Sequence, residues 1–232
     1  MALSQPAKPR AIVSWSSGKD SAFSLHVVRE RDDLEVVALF TTINRVHDRV
    51  AMHAVRRELL RAQAASAGLP LWEVDIPSPC SNEEYEAAMR GLVARARSEN
   101  VEVVVFGDLF LEDIRRYREE RLEGTGLRPV FPLWGIETQT LSWRMLAAGV
   151  SAVVTCVDPR KLPASFAGRR WDASFLADLP ADVDPCGENG EFHTLVTAGP
   201  MLREPLPVRV GETVQRDGFV FADVLSGHPN SA

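Results

Sequence analysis

Four short apolar runs recur along the first half of the chain, each followed by a longer stretch of mixed polarity, and this alternation restricts the fold more than any other feature. Ala11–Trp15, Leu34–Thr42, Leu71–Ile76 and Val101–Phe106 are rich in Val, Ile, Leu and aromatic residues and read as strands. Lys19–Arg31, Val50–Ala67 and the segment from Ser81 to about Asn100 read as helices. Gly68 supplies a stop for the second of these. Ser81 with Glu84 has the pattern of a capping box at the start of the third. Strands and helices in this order predict an α/β fold, a parallel sheet with helices on both faces. Ligands on such sheets bind outside the carboxyl ends of the strands. The loops after Trp15, Thr42, Ile76 and Phe106 therefore face one crevice.

Beyond Pro132 the texture changes. A helix over Glu137–Ala148 leads to a buried run, Ala152–Val157, and then to segments punctuated by Pro and Gly. Near the end, Val208–Val214 and Phe219–Val224 flank Arg216-Asp217-Gly218, where Asp-Gly is a strong hairpin signal. A boundary near residue 135 divides a ligand-binding domain, 1–135, from a smaller C-terminal α+β portion, 136–232. The 26 Lys and Arg against 32 Asp and Glu give a net charge of −6, which argues against a protein that coats nucleic acid. No run approaches the roughly 18–20 apolar residues that span a bilayer, and the first ten residues carry no apolar signal core. Cys80, Cys156 and Cys186 form no C-x-x-C pair and read as packed, reduced thiols. These features predict a cytoplasmic protein with no membrane partner.

The sharpest local signal is Ser16-Ser17-Gly18-Lys19-Asp20-Ser21, directly after the first strand and opening the first helix. A helix N-terminus offers unpaired N–H groups and a partial positive charge, which suits phosphate. Gly18 allows close backbone approach, the three serines can donate hydroxyl hydrogen bonds, and Lys19 brings a cation. Asp20 suits magnesium or a capping role. The loop is not a Walker A motif, because Val13 and Asp20 occupy the positions that need Gly and Ser or Thr. It resembles the SGGxDS loop of the PP-loop ATP pyrophosphatases, with Ser17 in place of the first glycine.

The resemblance reaches further. Ile12–Leu25, Gly107-Asp108-Leu109, Tyr117-Arg118-Glu119, Val130–Gly135 and Pro185–Thr194 (PCGENGEFHT) are together similar to the diphthine–ammonia ligase family, in its bacterial adenine nucleotide alpha hydrolase-like branch. That resemblance implies an ATP-dependent ligase of HUP/PP-loop fold. In such a ligase a carboxylate attacks the α-phosphorus of ATP, pyrophosphate leaves, and ammonia displaces AMP to give an amide. ATP and Mg2+ are the implied cofactors, and ammonia and a carboxylate acceptor are the implied partners. The acceptor is open between a protein side chain and a small carboxylic acid. Lys19, Asp20 and Asp108 are the expected catalytic residues, with Asp20 and Asp108 as magnesium ligands. Ser16, Ser17, Gly18, Lys19, Asp20, Ser21 and Gly107 are expected to bind the nucleotide. Tyr117, Arg118, Gly187, Glu188, Asn189, Gly190, Glu191, His193 and Thr194 are the expected substrate-binding group.

Other features carry less. Five Arg and five acidic residues cancel over residues 112–128, as in an exposed salt-bridged helix. His47 and His53 offer a metal pair with no third ligand. A PP-loop enzyme of tRNA modification is a rival reading, weakened by the missing cysteine pair and basic tail, and a non-catalytic ATP sensor is another. A homodimer is compatible with the sequence, which does not set the oligomeric state.

Overall fold

The computed structural model describes residues 7–45, 49–50 and 55–227. His47 and His53 lie outside the described residues. Strands β1 (Arg10–Ser14), β2 (Glu35–Asn44), β4 (Leu71–Ile76), β5 (Val101–Val105) and β6 (Arg128–Val130) form a parallel sheet in the order β4-β2-β1-β5-β6. A two-residue strand, β3 (Arg49–Val50), pairs antiparallel with the end of β2. Alternation along the central strands sends side chains to both faces. Ile12 and Val104 enter one apolar cluster with Ala38, Phe40 and Leu92. Ala11, Val13, Val103 and Val105 enter another with residues of α1 (Lys19–Arg31) and α2 (Arg57–Ala67). Helix α3 (Asn82–Ser98) covers the first face, and Leu122 at the end of α4 (Glu112–Leu122) packs there too. The expected α/β sheet is thus present, with a fifth parallel strand, β6, that the sequence reading did not contain.

The order places the topological switch between β1 and β5. From β1 the chain winds outward through β2 to β4, then returns to β5 on the other side of β1. The crevice at the carboxyl ends of β1 and β5 is therefore the natural ligand site of this sheet. The loop Ser16–Ser21 and the pair Gly107-Asp108 both open onto it.

The second half forms an antiparallel sheet around β7 (Ser151–Val157). The strand β9 (Phe192–Ala198) pairs along one edge of β7; β8 (Arg170–Trp171) and β11 (Phe219–Ser226) pair along the other, and β10 (Val208–Arg216) pairs with β11. Helix α5 (Thr138–Ala147) leads into it, and α6 (Ala173–Asp178) packs beside β8. The two sheets do not have separate cores. Phe192, Leu195 and Val196 of β9 lie in the same apolar cluster as Val13, Leu25 and Leu60 of the first half.

Several local signals appear as expected. Ser81 and Glu84 form the reciprocal capping box, and Gly68 ends α2 in the left-handed region at φ 71°. The second helix differs. It begins at Arg57 rather than Val50, after two residues that pair as β3.

One buried side chain joins the halves. Gln63 of α2 is fully buried and makes three hydrogen bonds. Its Oε1 accepts from Trp15 Nε1 at 2.9 Å, and its Nε2 donates to the carbonyls of Ser17 at 3.0 Å and Val196 at 2.7 Å. An apolar replacement would leave an indole N–H and two carbonyls without that partner, at about 1–3 kcal/mol for each group left unsatisfied. Gln63→Leu is expected to lower unfolding free energy by about 2–5 kcal/mol in urea titrations, well beyond the effect of an ordinary surface substitution. A loss below about 1 kcal/mol would show that these bonds do not hold the halves together.

Candidate active site

The loop after β1 takes its shape from its neighbours. Trp15 N–H donates to the Phe40 carbonyl at 2.7 Å. Ser17 lies in the left-handed region at φ 73°, a conformation that costs a non-glycine residue roughly 1–2 kcal/mol. Its carbonyl accepts from Val196 N–H at 3.0 Å as well as from Gln63. The strain explains why a glycine suits this position in the loop that the sequence resembles. It also separates the serines. Ser16 and Ser21 line the crevice with their hydroxyls 3.1 Å apart, whereas the Ser17 hydroxyl is buried without a hydrogen-bond partner and forms no part of the cavity wall. Gly18 caps α1 without a side-chain bond, and its N–H donates to Ser16 Oγ at 3.3 Å. Asp20 does not cap the helix. Its carboxylate accepts from Lys19 Nζ at 3.0 and 2.8 Å.

Gly107 and Asp108 form a second wall. A Cβ at Gly107 would lie 2.9 Å from Ser21 N and 3.0 Å from the Asp20 carbonyl carbon, so only glycine lets the end of β5 approach the first turn of α1 this closely. Asp108 sits 3.6 Å from Arg118 Nε of α4, and the guanidinium lies 4.8 Å from the Phe106 ring centroid. Burial pushes the Asp108 carboxyl above its ordinary value, against the opposing pull of Arg118. Its Oδ2 is buried with no hydrogen-bond donor.

The third wall comes from the Cys186–Thr194 segment. Glu188 N–H donates to Asp184 Oδ2 at 2.7 Å, and Glu188 Oε1 accepts from Leu109 N–H at 2.8 Å, beside Asp108. Thr194 Oγ1 accepts from the Lys19 backbone N–H at 3.2 Å. Gly187, Glu188, His193 and Thr194 line the crevice; Asn189, Gly190 and Glu191 do not. Those three shape the turn instead. Asn189 Nδ2 donates to Glu191 Oε1 at 3.1 Å, and the Asn189 carbonyl accepts from Lys161 Nζ at 2.7 Å.

Two cavities meet here. The smaller, about 240 Å³, is enclosed by the loop, Asp108 and the Gly187–Thr194 segment. The larger, about 560 Å³, lies between the carboxyl ends of β1 and β2 and the helices α3 and α4. Phe40, Thr42, Tyr85, Met89 and Tyr117 are among its walls. Ser14, Ser16, Phe106 and Arg118 belong to both. Tyr117 and Arg118, expected in the substrate group, are thus split: Tyr117 faces the larger cavity alone, and Arg118 stands at the junction. The sequence reading placed the strand end at Thr42 on the crevice but did not single out Phe40, Tyr85 or Met89. The rule that ligands sit at strand carboxyl ends could have pointed to Phe40 as well; no local pattern marks Tyr85 or Met89.

Among the described residues, no group of three or more His, Cys, Asp or Glu side chains is arranged to hold a metal ion on its own. Magnesium commonly takes one or two carboxylates plus substrate phosphates and water. Asp108 Oδ2, beyond hydrogen-bond range of its ion-pair partner Arg118 Nε at 3.6 Å, is the less tightly held and fits that demand; the Asp20 carboxylate is bonded by Lys19 at 3.0 and 2.8 Å.

Two titrating groups on the third wall oppose each other. Burial raises the Glu188 carboxyl from 4.5 to about 7. Burial, with a smaller contribution from the Lys19 charge, lowers the His193 imidazole from 6.5 to about 4. A raised carboxyl favours folding at low pH and loses that contribution as pH climbs towards its folded value. A depressed imidazole favours folding at high pH and loses that contribution as pH falls. Between pH 4.5 and 6.5 the folded state holds a proton on Glu188 and the unfolded state holds one on His193, so the two dependences offset each other. In EDTA, Glu188→Gln is expected to make thermal stability climb with pH across that window relative to the parent, and His193→Gln to make it fall. Slopes of the same sign in both variants would contradict this electrostatic picture.

No curated protein matches the chain. Two family models do: the diphthamide synthase N-terminal domain over residues 9–129 and the diphthamide synthase C-terminal domain over residues 138–223. The first covers the parallel sheet from Pro9 to Pro129, and the second runs from α5 into β11. The loop, its position at the switch of a parallel sheet, and both matches agree. The chain belongs to the diphthamide synthase family, a PP-loop family that uses ATP.

Proposed function

We propose that this protein is a ligase that cleaves ATP to AMP and pyrophosphate, adenylating a carboxylate acceptor that ammonia then converts to an amide. The observation that carries the reading is the pair of joined cavities. The larger has the size and the apolar and aromatic walls for a nucleoside, and the smaller abuts the N-terminus of α1, where phosphate is favoured. A nucleotide spanning both has its α-phosphate at the junction, beside Arg118 and Ser16.

In the first step an acceptor carboxylate oxygen bonds to the α-phosphorus and the bond to the β-phosphate oxygen breaks, so pyrophosphate leaves with the electron pair. Arg118, Ser16 and the first turn of α1 are the donors suited to the charge that develops. Magnesium, when bound at Asp108 with Asp20 nearby, would neutralise charge on the departing pyrophosphate. In the second step ammonia nitrogen bonds to the acyl carbon and the carbon–oxygen bond to AMP breaks. The nitrogen sheds a proton, and Glu188, with a carboxyl near 7, is matched to accept it near neutral pH. The acceptor enters from the side built by residues 136–232, where Gly187, Glu188 and His193 bound the cavity.

Incubation with magnesium and α-labelled ATP, with ammonium and a metabolite extract as the source of acceptor, is expected to give AMP and pyrophosphate. Arg118→Ala is expected to slow AMP formation by about a hundredfold, the range seen when one donor to developing charge is removed. ADP as product would overturn the reading. ATP bound tightly with no turnover under any of these conditions would favour a sensor instead.

A further inference from the structure

Lys19 is the only lysine in the loop, yet its ammonium is the least available charge in the crevice. The side chain is 2% exposed. Its Nζ donates to Asp20 Oδ1 at 3.0 Å, to Asp20 Oδ2 at 2.8 Å and to the Cys186 carbonyl. An ammonium has three N–H donors, and these three acceptors use them all. The rings of Trp171 and Phe192 lie 5.7 and 5.5 Å from Nζ, on the side of the second sheet. Burial alone would draw the ammonium towards neutrality, but Asp20, Cys186 and Asp184 together outweigh it and hold the group above its ordinary value, so it stays protonated. Turning Nζ towards a phosphate would strip a carboxylate and a buried carbonyl of their donor and take the cation off two aromatic faces.

We infer that Lys19 is a positioning residue: it fixes the Asp20 carboxylate and the Cys186–Glu188 turn against each other across the crevice, and it is not a phosphate ligand. Positive charge for an anionic substrate then comes from the N-terminus of α1 and from Arg118. The same strut sets the location of Glu188, whose carboxylate reaches over to Leu109 N–H. The claim rests on the ATP reading only for what the crevice binds; the strut itself is a property of the free protein.

The chain's other lysines, Lys8 and Lys161, make the test direct. Both are exposed and serve as internal references. The wild-type protein would be treated with an acetylating ester, with and without α,β-methylene-ATP and magnesium, and each lysine followed by mass spectrometry. Acetylation of Lys19 is expected to be at least tenfold slower than at Lys8 and Lys161, and unchanged by the nucleotide. Acetylation at a comparable rate, with protection by the nucleotide, would overturn the inference. In Lys19→Met, amide exchange over residues 184–190 is expected to quicken at least tenfold. The affinity for α,β-methylene-ATP should stay within threefold while AMP formation falls tenfold or more. An affinity loss of tenfold or more with exchange over 184–190 unchanged would make Lys19 a phosphate ligand. If Lys19→Met does not fold, the wild-type labelling decides. If the wild type binds no nucleotide, the ATP reading fails, and the labelling and exchange still judge the strut.

Discussion

The Ser17 carbonyl is where two sheets become one site. A left-handed residue in the middle of the loop turns this carbonyl away from the crevice, and two donors from different parts of the chain hold it there, Gln63 from α2 and the Val196 N–H from β9. The start of α1 is thereby set against the second sheet, and two residues further on the Lys19 N–H donates to Thr194. Without β9 the loop would have a strained residue and a buried carbonyl with fewer partners. The C-terminal portion therefore helps to form the phosphate loop as well as supplying a wall opposite it.

That arrangement sets the electrostatics. Asp20, Asp108 and Glu188 line a small crevice, with Asp184 behind Glu188, in a chain of net charge −6, and an anionic ligand must be reconciled with them. Each is handled differently. Asp20 is neutralised by Lys19, Asp184 caps the Glu188 N–H, and burial raises the Glu188 carboxyl to about 7. Asp108 Oδ2 is held only by the longer ion pair to Arg118 at 3.6 Å, so Asp108 is the carboxylate best suited to a cation that arrives with the ligand. Arg118, between Asp108 and the Phe106 ring, is a fixed charge at the place where the two cavities join.

Much of this was legible in the sequence because it is written locally. The strand-then-helix around Ser16–Ser21 and the β-branched run of β5 depend on nearest neighbours and appear where expected. So does the Asp-Gly turn: Asp217 and Gly218 take φ values of 52° and 82°, as the tight hairpin between β10 and β11 requires. What escaped is non-local. β6 is three residues with a central proline, and only its position beside β5 makes it a strand. The motif Pro185–Thr194 runs at Phe192 into β9, and the strand continues beyond it to Val196, which anchors the loop. Gln63 looks like any polar residue of an Ala-rich helix. That Asn189, Gly190 and Glu191 face away from the crevice follows from the curl of their turn around Asp184, which no spacing rule conveys.

The proposed chemistry requires a nucleotide to lie across both cavities with its phosphates at the start of α1. A crystal structure with α,β-methylene-ATP and magnesium tests it most directly. The base is expected between β2 and α3, near Phe40 and Met89, the α-phosphate within reach of Arg118, and the terminal phosphates beside Ser16, Gly18 and Ser21. A nucleotide whose phosphates point out between α3 and α4, or one bound outside this crevice, would contradict it.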